Sequence, residues 1–310
     1  MREQAAYFCY VLTRRKHREP GLADRLAKRV RASGYDDIAA PHLLRYIARE
    51  ARKEDLPLLM RWLDKGVGPR ARSVAAESLK FFTADSEVRG TLLRTAGDVQ
   101  FHVAETAADV LATSDDLTKD DLAATMAALS GGKIHPASRP HLLGALWKHG
   151  EKEFVEASIA AIPNEDEIAL IAALAVAPDL ELAKVKAGLR RLIASKDPQV
   201  QALTGVYLAA RVAHDRGGEQ LEMFDRFLER VPDRKARGEA LFELALHLGD
   251  RLASNEGAAL FLDYFRQFLE GRDLPSAASC LVILGATREP SVLKELTKCC
   301  LLYTSDAADD

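Results

Sequence analysis

The sequence predicts an all-α protein built from repeated helical hairpins, and three observations support this. A pair of small residues followed three positions later by a leucine occurs at 75–79 and again at 107–111. Aromatic residues are only 6% of the 310, while alanine and leucine, which enter helices at little entropic cost, are plentiful. Strict apolar-to-polar alternation is nowhere sustained over the length of a strand, so we expect essentially no sheet.

The repeat is visible as leucine-type anchors along the chain. Each small-small-leucine pattern puts a narrow strip on one helix face, where a neighbouring helix can approach closely. Extended in both directions, the pattern recurs every 28 to 40 residues, and a period near 34 is that of a helical hairpin. The anchors are Leu12, Ile47, Leu79, Leu111, Leu146, Leu174, Leu208, Leu244 and Leu284.

Helix boundaries are predicted from capping residues in the same register. Asp197-Pro198 has the form of an N-cap followed by proline in the first turn, and Pro232-Asp233 precedes the next unit in a similar role. The acidic run Asn164–Glu167 is predicted to cap a helix rather than to form a catalytic carboxylate pair. Four glycines are predicted to end helices: Gly97, Gly150, Gly249 and Gly271.

A second helix is predicted in each hairpin. The first carries Leu22, Leu26 and Val30 on one face, and a later one carries Val88 and Leu92. Two further second helices share a pattern, in which 224–229 matches 265–270 in its two phenylalanines, leucine and glutamate. Two interpretations remain for this aromatic stripe, namely a hydrophobic groove for a partner or ordinary core between stacked hairpins.

The glycine-rich stretch 130–136 is predicted to be a joint. Its glycines meet a proline and the helical register is lost. We therefore expect basic N-terminal repeats over 1–130, the joint at 131–136 and acidic C-terminal repeats over 137–299. In an array held together by nearest neighbours, such a joint weakens cooperativity locally without unfolding either side.

The final residues, 300–310, resemble one reading frame of the transposon-end adapter used in tagmentation sequencing libraries. This resemblance implies a non-native tail and a truncated reading frame, with the natural chain continuing beyond Cys299. The tail is therefore excluded from fold reasoning.

The repeats resemble the HEAT-type family of α-solenoids. The resemblance is carried by Ala71-Arg72, Val200-Gln201 and Ala236-Arg237, each followed by small residues and a leucine, and by Asp197-Pro198 at a unit entrance. It spans nearly all of 2–298, although units containing Ser138-Arg139 or Asp166-Glu167 depart from the pattern. The resemblance implies a right-handed solenoid of about eight or nine hairpins that binds macromolecules, and it names no partner.

No arrangement typical of catalysis or of cofactor binding is found in the sequence. The densest histidines, His135, His141 and His149, lack the spacing of a helical zinc site, and 130–133 lacks the rest of a phosphate loop. The four cysteines have no C-x-x-C spacing. We therefore predict no enzyme activity, no cofactor, no metal and no small-molecule ligand.

The sequence also predicts no membrane segment. The longest uncharged apolar run, 168–178, is shorter than the roughly 20 residues needed to cross a bilayer. We expect a cytoplasmic protein with reduced thiols, with export through a missing upstream segment as the open alternative.

Charge is the feature that suggests a binding surface. Residues 1–72 carry a net charge of +8 and the rest of the chain −11, for a total of −3. The leading prediction is a scaffold that binds a protein, and the alternative is a nucleic-acid-binding solenoid similar to the HEAT-like alkylation-repair glycosylases. The predicted partner-binding residues, expected to share a concave surface, are Arg25, Lys28, Arg29, Arg61, Lys65, Arg89 and Arg94.

Overall fold

All regular secondary structure in the described part of the chain is helical, as the sequence predicts. The computed structural model describes residues 11, 21–32, 34, 39–64, 67–214, 218–253, 255–287, 290, 292–294 and 296–297. The chain divides into two compact units, Met1–Ala161 and Ile162–Asp310. Leu12, the predicted binding residue Lys65 and the tail 300–310 lie outside the described residues.

The first unit contains nine described α-helices. They are α1 Leu22–Arg31, α2 Ala40–Ala48, α3 Leu56–Arg61, α4 Pro69–Ser78, α5 Ser86–Thr95, α6 Phe101–Ala112, α7 Lys119–Ser130, α8 Arg139–Lys148 and α9 Lys152–Ala160. Short 3₁₀ turns lie at Lys53–Asp55, Leu79–Phe82 and Pro136–Ser138.

Helices in this unit pack against the next helix and the next but one. The first helices of successive hairpins form one series, in which α2 packs on α4, α4 on α6 and α6 on α8. Second helices pack on adjacent first helices: α5 packs on α6, the first helix of the next hairpin, and α9 packs on α8 of its own hairpin. Each hairpin therefore buries its apolar face mainly against its sequence neighbours.

Polar bonds between neighbouring hairpins of the first unit keep the register of the repeat. Arg45 of α2 donates to Glu77 of α4 at 2.8 Å, and 32 residues further on Asp109 of α6 lies 3.5 Å from the ring of His141 in α8. These four residues occupy one position in four successive hairpins. The hydrogen bond from the Thr83 hydroxyl to Asp116, at 3.0 Å, also joins residues 33 positions apart.

One ion pair between hairpins is buried. Arg72 of α4 donates to both carboxylate oxygens of Asp98, in the loop before α6, and its Nε also donates to the Leu63 carbonyl at 3.1 Å. The side chains of Arg72 and Asp98 are only 7% and 6% exposed. Asp98 in turn accepts the Gln100 N–H at 2.9 Å, so the pair also orders the approach to α6.

The second unit contains seven described α-helices. They are α10 Glu167–Ala175, α11 Leu182–Ile193, α12 Pro198–His214, α13 Gly218–Arg230, α14 Arg234–Leu248, α15 Asn255–Glu270 and α16 Leu274–Thr287. Here α10 packs on α12, α12 on α14 and α14 on α16, while α11 packs on α13. The hairpin arrangement of the first unit therefore recurs in the second.

The aromatic stripe of the second unit is mostly core between second helices. Phe224 and Phe227 of α13 are fully buried, and the Phe224 ring lies 6.2 Å from that of Tyr264 in α15. The repeated pattern aligns Phe224 with Phe265, which is also buried, but the ring contact with Phe224 is made by the neighbouring Tyr264. Its hydroxyl donates to Asp225 at 2.7 Å.

Predicted anchors and caps lie where the sequence placed them. Every described anchor is at most 2% exposed: Ile47, Leu79, Leu111, Leu146, Leu174, Leu208, Leu244 and Leu284. Asp197, Asp233 and Asp166 each accept a backbone N–H at the start of a helix. Gly150 and Gly249 follow helix ends with positive φ angles of 90° and 51°, a conformation that glycine adopts without strain.

The glycine-rich stretch 131–136 lies inside the first unit. The His135 N–H donates to the Ala96 carbonyl at 3.0 Å, and a Cβ added at Gly97 would lie 2.2 Å from the Lys133 carbonyl oxygen. This stretch therefore packs tightly on the end of α5. The division between the two compact units falls further along the chain, between Ala161 and Ile162.

Candidate macromolecule-binding surface

Three of the predicted binding residues lie on one exposed face of α1. Lys28 and Arg29 follow Arg25 by three and four residues, so each lies about one helical turn from Arg25 on the same side of the helix. The opposite face of α1, with Ala23, Ala27 and Val30, is buried. α1 is therefore amphipathic, with its apolar side inward and its cations toward solvent.

Arg61 joins this face from a second helix. Its guanidinium donates to the carbonyl of Arg31, at the C-terminal end of α1, at 3.2 Å. Arg61 is exposed at the end of α3, so the bond brings the ends of the two helices together. We call Arg25, Lys28, Arg29 and Arg61 the basic face.

A buried carboxylate, Asp55, bonds two arginines next to the basic face. Asp55 is fully buried and accepts from Arg52 at 2.7 Å and from Arg31 at 3.2 Å. Arg52 also bonds Asp24, at the start of α1. These arginines link α1 to the turn before α3. Their partners lie 24 and 28 residues away, and no periodic pattern in the sequence predicts these pairs.

Arg89 and Arg94 are separate from the basic face. Arg89 is buried and donates to Asp121 at 2.8 Å and to the Thr83 carbonyl at 2.8 Å, so its charge is satisfied inside the unit. It therefore cannot face a partner without breaking these bonds. Arg94 is exposed, donates to Thr91 and borders a cleft of about 350 Å³ beside Gly97 and Val99.

Two of the histidines highlighted by the sequence, His135 and His141, make local structural contacts. His135 accepts the Ala137 N–H at 3.1 Å, where it caps a 3₁₀ turn, and His141 faces Asp109. No cluster of three or more metal-ligating side chains is present among the residues that the structure describes.

The buried thiol of Cys280 in α16 does not have the properties of a nucleophile. Burial, with the charge of Asp273 nearby, raises the pKa of Cys280 to about 12. The thiolate that would react is therefore scarce at neutral pH.

A cleft of about 510 Å³ in the second unit is bordered by two histidines and an arginine. His214, His247 and Arg251 lie beside Pro178 and Ala210 at its wall. Arg251 donates to the Ala213 carbonyl at 2.8 Å, near the C-terminal end of α12. Cations stabilise helix C-termini, where carbonyl groups lack partners, so the placement of Arg251 is explained by its contact with this helix end.

Comparisons with known proteins assign no family to the chain. No model of a known protein family matches it, and neither the curated proteins nor the solved structures contain a significant match. Among the described residues, no helix combines the length and the apolar character needed to cross a bilayer.

Proposed function

We propose that the protein is a non-enzymatic scaffold, a right-handed α-solenoid of the HEAT type, that binds an acidic protein through its basic face. The proposal is supported mainly by the basic face itself, which presents four exposed cations on two helices joined by a hydrogen bond. Stacked hairpins provide extended helical surface of the kind used in macromolecular recognition.

The clustering of cations on α1 favours an anionic partner. Arg25, Lys28 and Arg29 lie on one exposed face, so the carboxylates of a partner can approach all three side chains together. Lys28 and Arg29 also lie in the last turn of α1, where the helix dipole favours cations, so a binding measurement must separate the two effects.

Binding to poly-L-glutamate tests the proposal, because this polymer presents carboxylates without a defined fold. We expect fluorescence anisotropy to report binding at about 50 mM salt that weakens markedly at about 200 mM, where exposed charges are more strongly screened. Changing Arg25, Arg29 and Arg61 together to glutamate should abolish binding while circular dichroism stays unchanged.

The matched control reverses three exposed cations in the second unit, Arg190, Lys196 and Arg230, to glutamate. It changes the net charge by the same amount, so a general charge effect would weaken both variants equally. Retained binding in the control, with loss in the first variant, supports the basic face. Absence of wild-type binding at low salt would overturn the proposal.

Nucleic-acid binding is the second candidate function, and the spacing of the basic face favours it. The bond from Arg61 to the Arg31 carbonyl brings the ends of α1 and α3 together, so the four cations can contact neighbouring phosphates of one backbone. A short DNA duplex in the same assay should then bind with a salt slope of about −0.9 per phosphate neutralised. Tighter binding of duplex than of poly-L-glutamate would favour this candidate.

A further inference from the structure

Both ends of α1 are tied to one buried carboxylate, that of Asp55 in the turn before α3. At the C-terminal end of α1, the Arg31 guanidinium donates to Asp55 at 3.2 Å. In the first turn of α1, Asp24 bonds Arg52, whose Nε donates to Asp55 at 2.7 Å. Asp24 and Arg31 lie about two helical turns apart on one side of α1, so these bonds fix both the rotation and the height of the helix.

The position of Asp55 indicates that its side chain serves these arginines rather than its own helix. Asp55 is the N-cap residue of α3, where an aspartate usually accepts a backbone N–H of the first turn. Among the described residues, its carboxylate accepts no such N–H and accepts from Arg31 and Arg52 instead. A carboxylate that is 0% exposed needs compensation, and the two guanidinium groups provide the opposite charge.

The side chains that α1 buries are small, so these polar bonds have a large share in holding the helix. They are Ala23, Ala27 and Val30, whereas the neighbouring α2 buries larger side chains, among them Leu44 and Ile47. The free energy gained by burial grows with the apolar area removed from water. The packing of α1 on α2 therefore supplies only part of what keeps α1 in place.

The same bonds reach the basic face through Arg31. Its side chain donates to Asp55, and its backbone carbonyl accepts from Arg61, one of the four cations. The other three cations stand on α1 itself, so their direction follows the rotation of that helix. The arrangement of the basic face therefore depends on how α1 is held at Asp55.

We propose that Asp55 is the positioning residue of the basic face, and that neutralising its charge releases α1 and separates the four cations. This inference rests on the proposed function, because it describes how the surface that binds an acidic protein keeps its shape. Removing the charge leaves guanidinium groups that water reaches, since the side chains of Arg31 and Arg52 are 50% and 22% exposed. The rest of the first unit should therefore stay folded when α1 is released.

Hydrogen exchange followed by mass spectrometry on the 310-residue chain tests the positioning. In Asp55→Asn, we expect the amides of 22–31 to exchange about 10-fold faster or more, because hydrogen bonds to a charged group are lost. The amides of α5 to α9 should keep their wild-type rates. Glu54→Gln is the matched control, because Glu54 also lies near Arg52, at 3.8 Å, but its side chain is 68% exposed. It should leave exchange in 22–31 unchanged.

Binding of poly-L-glutamate gives a second readout, which net charge alone would move in the opposite direction. Both variants remove one negative charge, so a general charge effect would strengthen binding equally in both. We expect Asp55→Asn to bind about 3-fold more weakly than Glu54→Gln, or weaker still, because binding must first bring the released helix back into place.

Faster exchange confined to 22–31 in Asp55→Asn alone, with weaker binding than in the control, supports the proposal. It is overturned if exchange in 22–31 is the same in both variants, if exchange rises equally throughout the first unit, or if Asp55→Asn binds as tightly as Glu54→Gln. If the wild-type chain does not bind poly-L-glutamate, the proposed function fails, while exchange in 22–31 still decides whether Asp55 positions α1.

Discussion

Removing Asp98 should destabilise the first unit strongly, because it leaves a buried guanidinium without its carboxylate. In Asp98→Ala, Arg72 keeps its bond to the Leu63 carbonyl but remains 7% exposed and charged. Breaking a buried ion pair from one side costs about 3–5 kcal/mol. The Gln100 N–H also loses its acceptor, so we expect about 4 kcal/mol or more.

Chemical and thermal denaturation followed by circular dichroism measure this loss. For a unit of this size, about 4 kcal/mol corresponds to a fall in the melting midpoint of roughly 8–16 °C. The double variant Arg72→Leu with Asp98→Ala should recover part of the loss, because the unpaired charge is removed as well.

The exposed pair of Lys148 with Asp115 provides the control. The Asp115 side chain is 91% exposed, so Asp115→Ala should leave the midpoint unchanged within error. A loss below about 1 kcal/mol for Asp98→Ala, or a double variant less stable than this single variant, would refute the reasoning.

Two further predictions concern close packing and pH. Gly205→Ala should cost about 1–3 kcal/mol in chemical denaturation, because the new Cβ would lie 2.6 Å from the Phe227 ring; Gly90→Ala, which meets only an ordinary 3.6 Å contact, should not destabilise the chain. Burial alone would raise the pKa of Asp121, but hydrogen bonds from Thr118 and Arg89 outweigh it and hold the pKa below its ordinary 3.8. The contribution of the Asp121 carboxylate to the free energy of unfolding is therefore present above pH 3.8 and lost as the pH falls through the folded-state pKa. Asp121→Asn should flatten that part of the curve of stability against pH. An unchanged curve would contradict this assignment.

The sequence predicted what repeats along the chain. Buried anchors such as Leu79 and Leu244 follow a period near 34 residues, and capping residues such as Asp197 act through their nearest backbone neighbours. Both signals depend on local spacing alone, so no knowledge of the packed structure was needed.

Side-chain pairings between hairpins cannot be predicted from local spacing. Arg89 looks like its exposed neighbours in the sequence, and only the packing of α5 near the start of α7 brings Asp121 to it. Tyr264 was overlooked because the aligned phenylalanines suggested Phe265; both side chains are buried, and the ring that lies 6.2 Å from Phe224 is that of Tyr264. Side-chain direction depends on how helices pack, which a period does not specify.

The spacing of 32 residues shared by Arg45, Glu77, Asp109 and His141 determines which insertions and deletions the first unit can accept. If residues 70–101 were excised, Asp109 would take the place of Glu77, so Arg45 would still meet a carboxylate. Arg72 and Asp98 would leave together, so neither would be stranded without the other. Gain or loss of a whole 32-residue segment is therefore a smaller disturbance to the first unit than a shift of one or two residues, which would misalign every contact between the hairpins on either side.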